Sequence, residues 1–201
     1  MLGKQHAQFG IASGALTSCA LLALGTVSAP VCLGITGLSL VGSLFPDIDH
    51  PDSAVSTRLF PLLSRGVTRI AKHRGLLHDP VFYLAIFAAG FALFSHFGLP
   101  LWILCGLLLG IAGHLFLDAL TVNGMPFLYL FNKDRKVHFL PKKLRICTTK
   151  TSAAVVTGIL CALCYVGAGI IVGKSGVLDA PCNFITEQTA EFVSMVKGVL
   201  G

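Results

Sequence analysis

The chain has 201 residues, of which 54% are hydrophobic and only 12% are charged, and its mean hydropathy is +0.81. A soluble domain of this length does not need so many apolar residues for one core, so these values exclude an ordinary soluble protein and indicate a membrane protein. The net charge of +6 indicates contact with anionic lipid headgroups rather than with nucleic acid, because no basic patch is interleaved with exposed aromatic residues.

Five apolar segments approach the ~20 residues that a helix needs to cross a bilayer. They cover residues 9–29, 31–45, 81–98, 99–120 and 152–172. The second segment has only 15 residues, so we expect it to be tilted, half-inserted or packed within the bundle. Because backbone groups in lipid must be satisfied within their own segment, each segment is predicted to be a helix. The predicted fold is therefore an all-α, polytopic membrane protein with about five membrane helices.

The N-terminal segment has a second interpretation, as a signal peptide. Lys4, the apolar run and the stretch "VSAP" at 27–30 resemble the three parts of such a peptide. However, the run is longer than most signal peptides contain, and Pro30 would follow the cleavage point. An uncleaved first helix is the favoured interpretation, and processing of the N-terminus stays open.

The basic residues predict the orientation of the chain. Thirteen of the fifteen lysines and arginines lie before the first segment, between the second and third, or between the fourth and fifth. By the positive-inside rule, the N-terminus and both loops are cytoplasmic and the C-terminus is external. The assignment requires residues 31–45 to return the chain to the cytoplasmic side, which supports the short segment as a membrane element.

The stretch "STRLFPLLSRGVTRIAK" at 56–72 predicts a further, amphipathic helix. Its basic residues are spaced 7, 4 and 3 apart, which places them on one helical face. Apolar residues fall mostly on the other face, as in a helix that lies in the membrane interface. A solvated loop helix is the alternative.

Histidines and aspartates gather at the cytoplasmic ends of four predicted helices. These are His6 just before the first helix, Asp47, Asp49 and His50 after the second, His73 and His78 before the third, and His114 and Asp118 near the end of the fourth. Scattered polar residues would not be expected to converge on one membrane face in this way.

The pair His114 and Asp118 is the most informative single feature. Residues at i and i+4 share a helix face, so both side chains can reach one ion or two adjacent ions. The pair also lies in an apolar helix, where ionisable groups are costly without a partner. A structural His–Asp hydrogen bond is the alternative. Two further aspartates are better explained as helix caps, Asp79 before Pro80 and Asp52 before Ser53.

Imidazoles and carboxylates without thiolates suit zinc, manganese or iron. Such an ion can lower the pKa of a bound water to ~7, and a carboxylate held off the metal can serve as general base. Asp49 would fit a bridging or a base role. Arg74, between His73 and His78 in the sequence, would meet a phosphate with its planar guanidinium.

The motifs together resemble those of the YdjM-like family of bacterial inner-membrane proteins, which are regarded as metal-dependent hydrolases. The resemblance covers about residues 1–130 and rests on three stretches and a histidine near the N-terminus. The stretches are "GSLFPDIDHPDS" (42–53), "HRGLLH" (73–78) and "GHLFLDALTVNGMP" (113–126). The family is in turn distantly similar to the zinc-dependent phospholipase C and nuclease P1 group.

That similarity implies a zinc site of one or two ions. The implied ligands are His6, Asp47, His78, His114 and Asp118. Asp118 would bridge two ions and Asp47 would double as general base. The chain lacks the N-terminal tryptophan of that group and the histidine that follows the bridging aspartate, so a mononuclear or dinuclear site is implied rather than a trinuclear one.

The resulting hypothesis is a membrane-bound metal-dependent hydrolase. It would cleave a phosphoester or other ester of a lipid-borne substrate at the cytoplasmic face of the bacterial inner membrane. The alternative is a non-enzymatic metal-binding or metal-transport protein that uses the same cluster. The chain is predicted as one membrane-embedded domain, 1–201, made of four parts. These are a metal-site core at 1–130, a basic cytoplasmic loop at 131–150, a last membrane helix at 151–173 and an external tail at 174–201.

Overall fold

The computed structural model describes residues 2–50, 53, 56–57, 61–70, 75–148 and 151–176, and it confirms a mostly helical fold. The α-helices are α1 (Gly3–Ala23), α2 (Ala29–Leu44), α3 (Pro61–Ile70), α4 (Pro80–His96), α5 (Trp102–Ala119) and α6 (Thr151–Ser175). Short 3₁₀ segments cover Phe45–Asp49, Leu76–His78 and Lys142–Leu144. Two short strands, β1 (Met125–Pro126) and β2 (Lys136–Val137), pair antiparallel as a hairpin.

Within the described residues, three helical stretches are long and apolar enough to cross a membrane. They are Ala29–Asp49, Trp102–Ala119 and Thr151–Ser175, and the shorter helix Pro80–His96 is also apolar. The outward face of α6 carries exposed apolar side chains, among them Leu163 at 63% and Val166 at 60% exposure. Such a face is suited to lipid contact. The total of five membrane helices stays a prediction.

The first helix begins earlier than predicted. α1 starts at Gly3 rather than at residue 9 and ends at Ala23, so His6 lies inside the helix and not before it. Hydropathy locates an apolar run, whereas a helix also accepts polar residues of good helix propensity such as Lys4 and Gln5. The side chain of Gln5 accepts a hydrogen bond from the Leu2 amide at 2.9 Å, which satisfies one of the amides that a helix start leaves without partners.

Helix α2 packs between α1 and α5 through small residues. The Ser39 hydroxyl donates to the Gly10 carbonyl at 2.8 Å, and a Cβ on Gly110 would overlap the carbonyl oxygen of Ser39. A Cβ on Gly42 would overlap the carbonyl oxygen of Leu107 in the same manner. Glycine and serine allow this close approach of helix backbones. As a result, the start of α1 and the ends of α2 and α5 meet at one place.

Helix α3 lies within the stretch where an amphipathic helix was expected. The hydroxyl of Ser64 donates to the Ile48 carbonyl at 3.0 Å, and that of Ser56 donates to the same oxygen at 3.1 Å. The Ser64 bond holds α3 beside the Phe45–Asp49 segment, and the Ser56 bond holds the residues that precede α3. Residues 58–60 and 71–72 of the predicted helix lie outside the described part of the chain, and a location in the membrane interface stays a prediction.

Asp79 caps α4, as predicted, and also fastens the hairpin that follows α5. Its carboxylate accepts from the Val81 amide at 3.0 Å at the helix start. It also accepts from the amides of Leu128 (3.3 Å) and Tyr129 (2.7 Å), which lie between the two strands. One buried carboxylate therefore joins the start of α4 to the hairpin, whose second strand lies in the stretch 131–150 that was predicted as a basic loop.

Candidate metal centre

Four separate parts of the chain bring ligand-type side chains to one buried cluster. α1 provides His6, the 3₁₀ segment after α2 provides Asp47 and Asp49, the 3₁₀ segment before α4 provides His78, and α5 provides His114 and Asp118. We call these six residues the His/Asp cluster. The cluster opens toward the outside at Asp47, whose side chain is 15% exposed, against 2% or less for the others.

His114 is oriented by a backbone carbonyl. Its Nδ1 lies 2.7 Å from the carbonyl oxygen of Ser43, and because a carbonyl only accepts, Nδ1 carries the hydrogen. Nε2 then keeps its lone pair and faces Asp47 Oδ1 at 3.7 Å and Asp118 Oδ2 at 3.9 Å. This buried nitrogen has no hydrogen-bond partner among the described residues. A histidine fixed from behind by a carbonyl is the arrangement typical of a metal ligand.

His6 stacks on His114, with ring centroids 3.6 Å apart and planes inclined by 13°. Both of its ring nitrogens are buried and without a hydrogen-bond partner in the part of the chain that the structure describes. The nearest acid is Asp118, whose Oδ1 lies 3.5 Å from Nε2. Burying polar atoms in this way costs free energy unless a partner satisfies them. A cation between these side chains would supply that partner, so the residues fit a metal ion.

His78 lies between the three carboxylates. Its Nε2 faces Asp47 Oδ1 at 3.7 Å and Asp118 Oδ2 at 3.9 Å, while Nδ1 faces Asp49 Oδ2 at 3.6 Å. Burial disfavours the imidazolium, but the adjacent carboxylates of Asp47 and Asp49 outweigh it and raise the pKa of His78 to about 9. The metal-free cluster therefore attracts positive charge. Asp49 lies behind His78, on the side away from the other histidines, where a carboxylate orients a ligand rather than acting as one.

The two oxygens of Asp118 face different histidines. Oδ1 is the oxygen nearest His6, whereas Oδ2 faces His78 and His114. Two groups of ligand atoms lie within 4.8 Å of one another, His6–His114–Asp118 and Asp47–His78–His114. The ligand atoms of a tetrahedral zinc site with bonds of 2.0–2.1 Å lie about 3.4 Å apart, and the distances between histidine nitrogens and aspartate oxygens in these groups are 3.5–3.9 Å.

Of the predicted site residues that the structure describes, Asp49 and His50 are in neither group. His50 is half-buried and belongs to neither group, and its amide donates to the Asp47 carbonyl at 3.0 Å. His73 and Arg74 lie outside the described residues, so their predicted roles stay predictions. The cap predicted for Asp52 also falls outside the described part.

Two contributors were absent from the sequence-based prediction. The Ser43 carbonyl is a backbone group, which every residue has, so no residue type in the sequence indicates its role. Tyr83 is buried on α4, and its hydroxyl donates to the Leu77 carbonyl at 2.9 Å, which holds the turn that carries His78 against α4. A lone tyrosine hydroxyl in an apolar helix, which needs a partner when buried, was the available signal.

Comparison with known proteins identifies relatives. A sequence profile described as YdjM inner membrane protein matches residues 1–176. The chain is 38% identical over 129 residues to "Uncharacterized protein YvsG" of Bacillus subtilis (strain 168), an alignment that covers 64% of this chain and 73% of that protein. It is 34% identical over 138 residues to the inner membrane protein YdjM of Escherichia coli (strain K12), which covers 64% of this chain and 65% of that protein. The protein of the same name from Shigella flexneri matches equally.

The chain thus spans just under two thirds of the length of the YdjM relatives. No solved structure matches it, so the similarity to the phospholipase C and nuclease P1 group stays a prediction.

Proposed function

The chain belongs to the YdjM inner membrane protein family, and we propose that it is a membrane-bound metal-dependent hydrolase. The proposed reaction is hydrolysis of a phosphoester or other ester of a lipid-borne substrate at the cytoplasmic face of the inner membrane. The observation that supports it most strongly is the buried His/Asp cluster, in which both ring nitrogens of His6 and Nε2 of His114 have no hydrogen-bond partner among the described residues.

The ligand set is suited to zinc, and the same donors also accept manganese or iron. Asp47, His78, His114 and Oδ2 of Asp118 would hold one ion tightly. His6 and Oδ1 of Asp118 offer fewer protein ligands and would hold a second ion more weakly. When bound, such an ion would lower the pKa of a water molecule toward ~7 and would stabilise negative charge on the oxygens of the ester.

Asp47 is placed to move the proton. Its Oδ1 faces His78 and His114, which leaves Oδ2 as the oxygen for a water molecule. Asp47 is also the most exposed member of the cluster, which puts it where substrate and water enter. We assign Oδ2 as the base that accepts a proton from the attacking water. The proton then passes to the leaving oxygen as the ester bond breaks.

The orientation proposed for the site follows from the charges. The segment between α5, which carries His114 and Asp118, and α6 is rich in basic residues, among them Lys133, Arg135, Lys136, Lys142, Lys143 and Arg145. By the positive-inside rule this end of the helices faces the cytoplasm, and the C-terminus faces outside.

The alternative function is metal binding or transport without catalysis. A transporter places ionisable residues near the middle of the bilayer, at interrupted helices. Here His6 lies in the first turn of α1, His114 and Asp118 lie in the last two turns of α5, and the other ligands lie in 3₁₀ segments next to helix ends. This location at one end of the helices favours a hydrolase over a carrier.

Elemental analysis of the purified protein tests the metal. Wild type is expected to contain at least one transition-metal ion per chain, and Asp118→Ala is expected to lose it. Asp134→Ala, which changes an exposed aspartate in the hairpin loop, serves as the control and should retain the metal. A metal-free wild type would contradict both the hydrolase and the carrier.

Activity on lipids separates these two functions. Wild type is incubated with a mixed panel of phospholipids, and release of water-soluble headgroup is measured beside Asp47→Asn and Asp118→Ala. Metal-dependent release that both variants abolish supports the hydrolase. Stoichiometric metal without release from any lipid of the panel would favour the carrier.

A further inference from the structure

An apolar groove of about 350 Å³ runs between α4 and α5 on the outside of the helices. Its lining includes Pro80 and Leu84 of α4, Leu108, Ala112 and Phe116 of α5, and Phe139 after the hairpin. The only polar side-chain group in the lining is the Tyr83 hydroxyl, which is already bonded to the Leu77 carbonyl. The lining is therefore suited to contact with apolar groups rather than with water.

We propose that this groove binds one acyl chain of an anionic phospholipid. The stretch from Leu108 to Phe116 rises about 12 Å along the helix axis, so the groove is long and narrow. Side chains at its mouth point outward, with Leu84 at 64%, Phe139 at 54% and Phe116 at 38% exposure. An elongated apolar trough open to the surroundings of a membrane protein fits a lipid tail.

The basic residues at one end of the groove favour an anionic lipid headgroup. The amide of Phe139 donates to the Ala119 carbonyl at 3.0 Å, which places the segment that follows β2 across the end of α5. Residues 132–146 contain six basic residues and one acidic residue, and Lys136 and Lys142 among them are exposed. An anionic phosphate would be held there while its acyl chain lies in the groove.

The same end of the groove lies beside the His/Asp cluster. Pro80 follows His78 by two residues on one side, and the groove-lining Leu115 directly follows His114 on the other. If the proposed function holds, the lipid in the groove is the substrate, and that identification alone rests on it. Binding of the lipid itself does not depend on catalysis.

A second copy of the chain is a less suitable occupant. Pairing through this groove would bring two copies of the basic segment 132–146 together, and like charges oppose such a contact. Residues 177–201 are predicted to be on the other side of the membrane. Both remain distinguishable outcomes in the test below.

The test uses the full-length protein in bilayers that contain phosphatidylglycerol with a photoreactive diazirine in one acyl chain. Cross-linked residues are mapped by mass spectrometry, and labelling is expected to concentrate on the groove. Ala112→Trp fills the groove and should reduce that labelling to the level of the outward face of α6. Ala154→Trp, an equal enlargement at an exposed position of α6, should leave it unchanged.

Two outcomes would overturn the proposal. One is groove labelling that is no greater than on α6 or is unaffected by Ala112→Trp, and the other is cross-linking of the groove to a second copy or to residues 177–201. An unchanged melting temperature and metal content of Ala112→Trp show that the variant folds. Asp118→Ala separates the two proposals, because it should abolish bound metal yet keep the labelling. If it fails to fold, Asp118→Asn replaces it.

Discussion

At the scale of one residue, Asp49 is predicted to orient the metal ligand His78 rather than to bind the metal itself. It faces Nδ1 of His78, whereas Nε2 of that ring faces the other carboxylates. Changing Asp49→Asn removes the charge behind the ring, and we expect metal affinity to fall about 10–100-fold. The stoichiometry at saturating metal should not change. Competition titration against a chromophoric chelator measures both quantities.

Two control variants are compared with Asp49→Asn. Asp118→Asn should lower the stoichiometry itself, since it removes a ligand. Asp134→Asn should change neither quantity, since that side chain lies in the exposed hairpin loop. A loss of stoichiometry in Asp49→Asn would mean that Asp49 binds the ion directly.

His6 is predicted to bind the second, weaker metal ion. Its Nε2 contacts Oδ1 of Asp118 at 3.5 Å, away from the oxygen that faces His78 and His114. We expect His6→Ala to retain the ion that survives dialysis and to lose the one that binds only when metal is added. Isothermal titration of dialysed protein, which still holds the tight ion, would show one binding phase in wild type and none in the variant. Loss of the dialysis-resistant ion in the variant would place both ions on one shared ligand set.

Residue types and spacings predicted much of this cluster, but not its internal division. His114 and Asp118 share a helix face by their four-residue spacing, so they could be paired from the sequence alone. Asp47 and Asp49 lie in one 3₁₀ segment, and only the folded turn shows that one faces the histidines and the other lies behind His78. The Ser43 carbonyl that orients His114 is a backbone group, so its role could not be predicted from residue types.

At the scale of elements, the packing of α2 against α5 determines the site geometry. Gly110 lies where any Cβ would overlap backbone atoms of Ser39. Gly110→Ala must push the helices apart, and overpacking of this kind costs about 1–3 kcal/mol. It should also move the Ser43 carbonyl from His114 and weaken metal binding. The melting temperature in detergent and the chelator titration are the two measurements.

Gly37→Ala is the matched control on α2. A Cβ at Gly37 would have no heavy atom within 4 Å, so the variant should be neutral or slightly more stable, because alanine favours the helix over glycine. Equal melting temperatures for the two variants would contradict the importance of close helix packing.

The hydropathy pattern predicted the apolar helices but not a polar helix start or the short strands. It placed the apolar parts of α2, α4, α5 and α6 to within a few residues, because burial in lipid depends on side-chain hydrophobicity. It missed the start of α1, since four of the five residues from Lys4 to Gln8 are polar yet helical. The hairpin and its attachment to Asp79 were also missed, because the two strands have only two residues each and pairing across 10 residues leaves no periodic signal.

At the scale of the whole molecule, the site is a junction of parts that are far apart in sequence. His6 and Asp118 are brought within 3.5 Å by the packing of α1, α2 and α5. A metal that binds only the folded junction stabilises it, by about 4 kcal/mol when its concentration is 1,000 times its dissociation constant. Chelation should therefore lower the melting temperature, and added zinc should restore it. Asp118→Ala should respond to neither treatment, and a wild type whose melting is indifferent to chelator would contradict a resident ion.

The topology determines which side of the membrane the site faces. Thirteen of the fifteen basic residues lie on one predicted side, and α5 separates the α4–α5 turn from the hairpin. In a background with all seven cysteines replaced, Leu99→Cys reports on the turn and Asp134→Cys on the hairpin. A membrane-impermeant maleimide should label Leu99→Cys in intact cells and Asp134→Cys only in inverted vesicles, because the positive-inside rule puts the basic hairpin in the cytoplasm. Labelling of both positions from the same side would mean that α5 does not cross the bilayer, and the reverse pattern would place the His/Asp cluster on the outer face, where a cytoplasmic lipid headgroup could not reach Asp47.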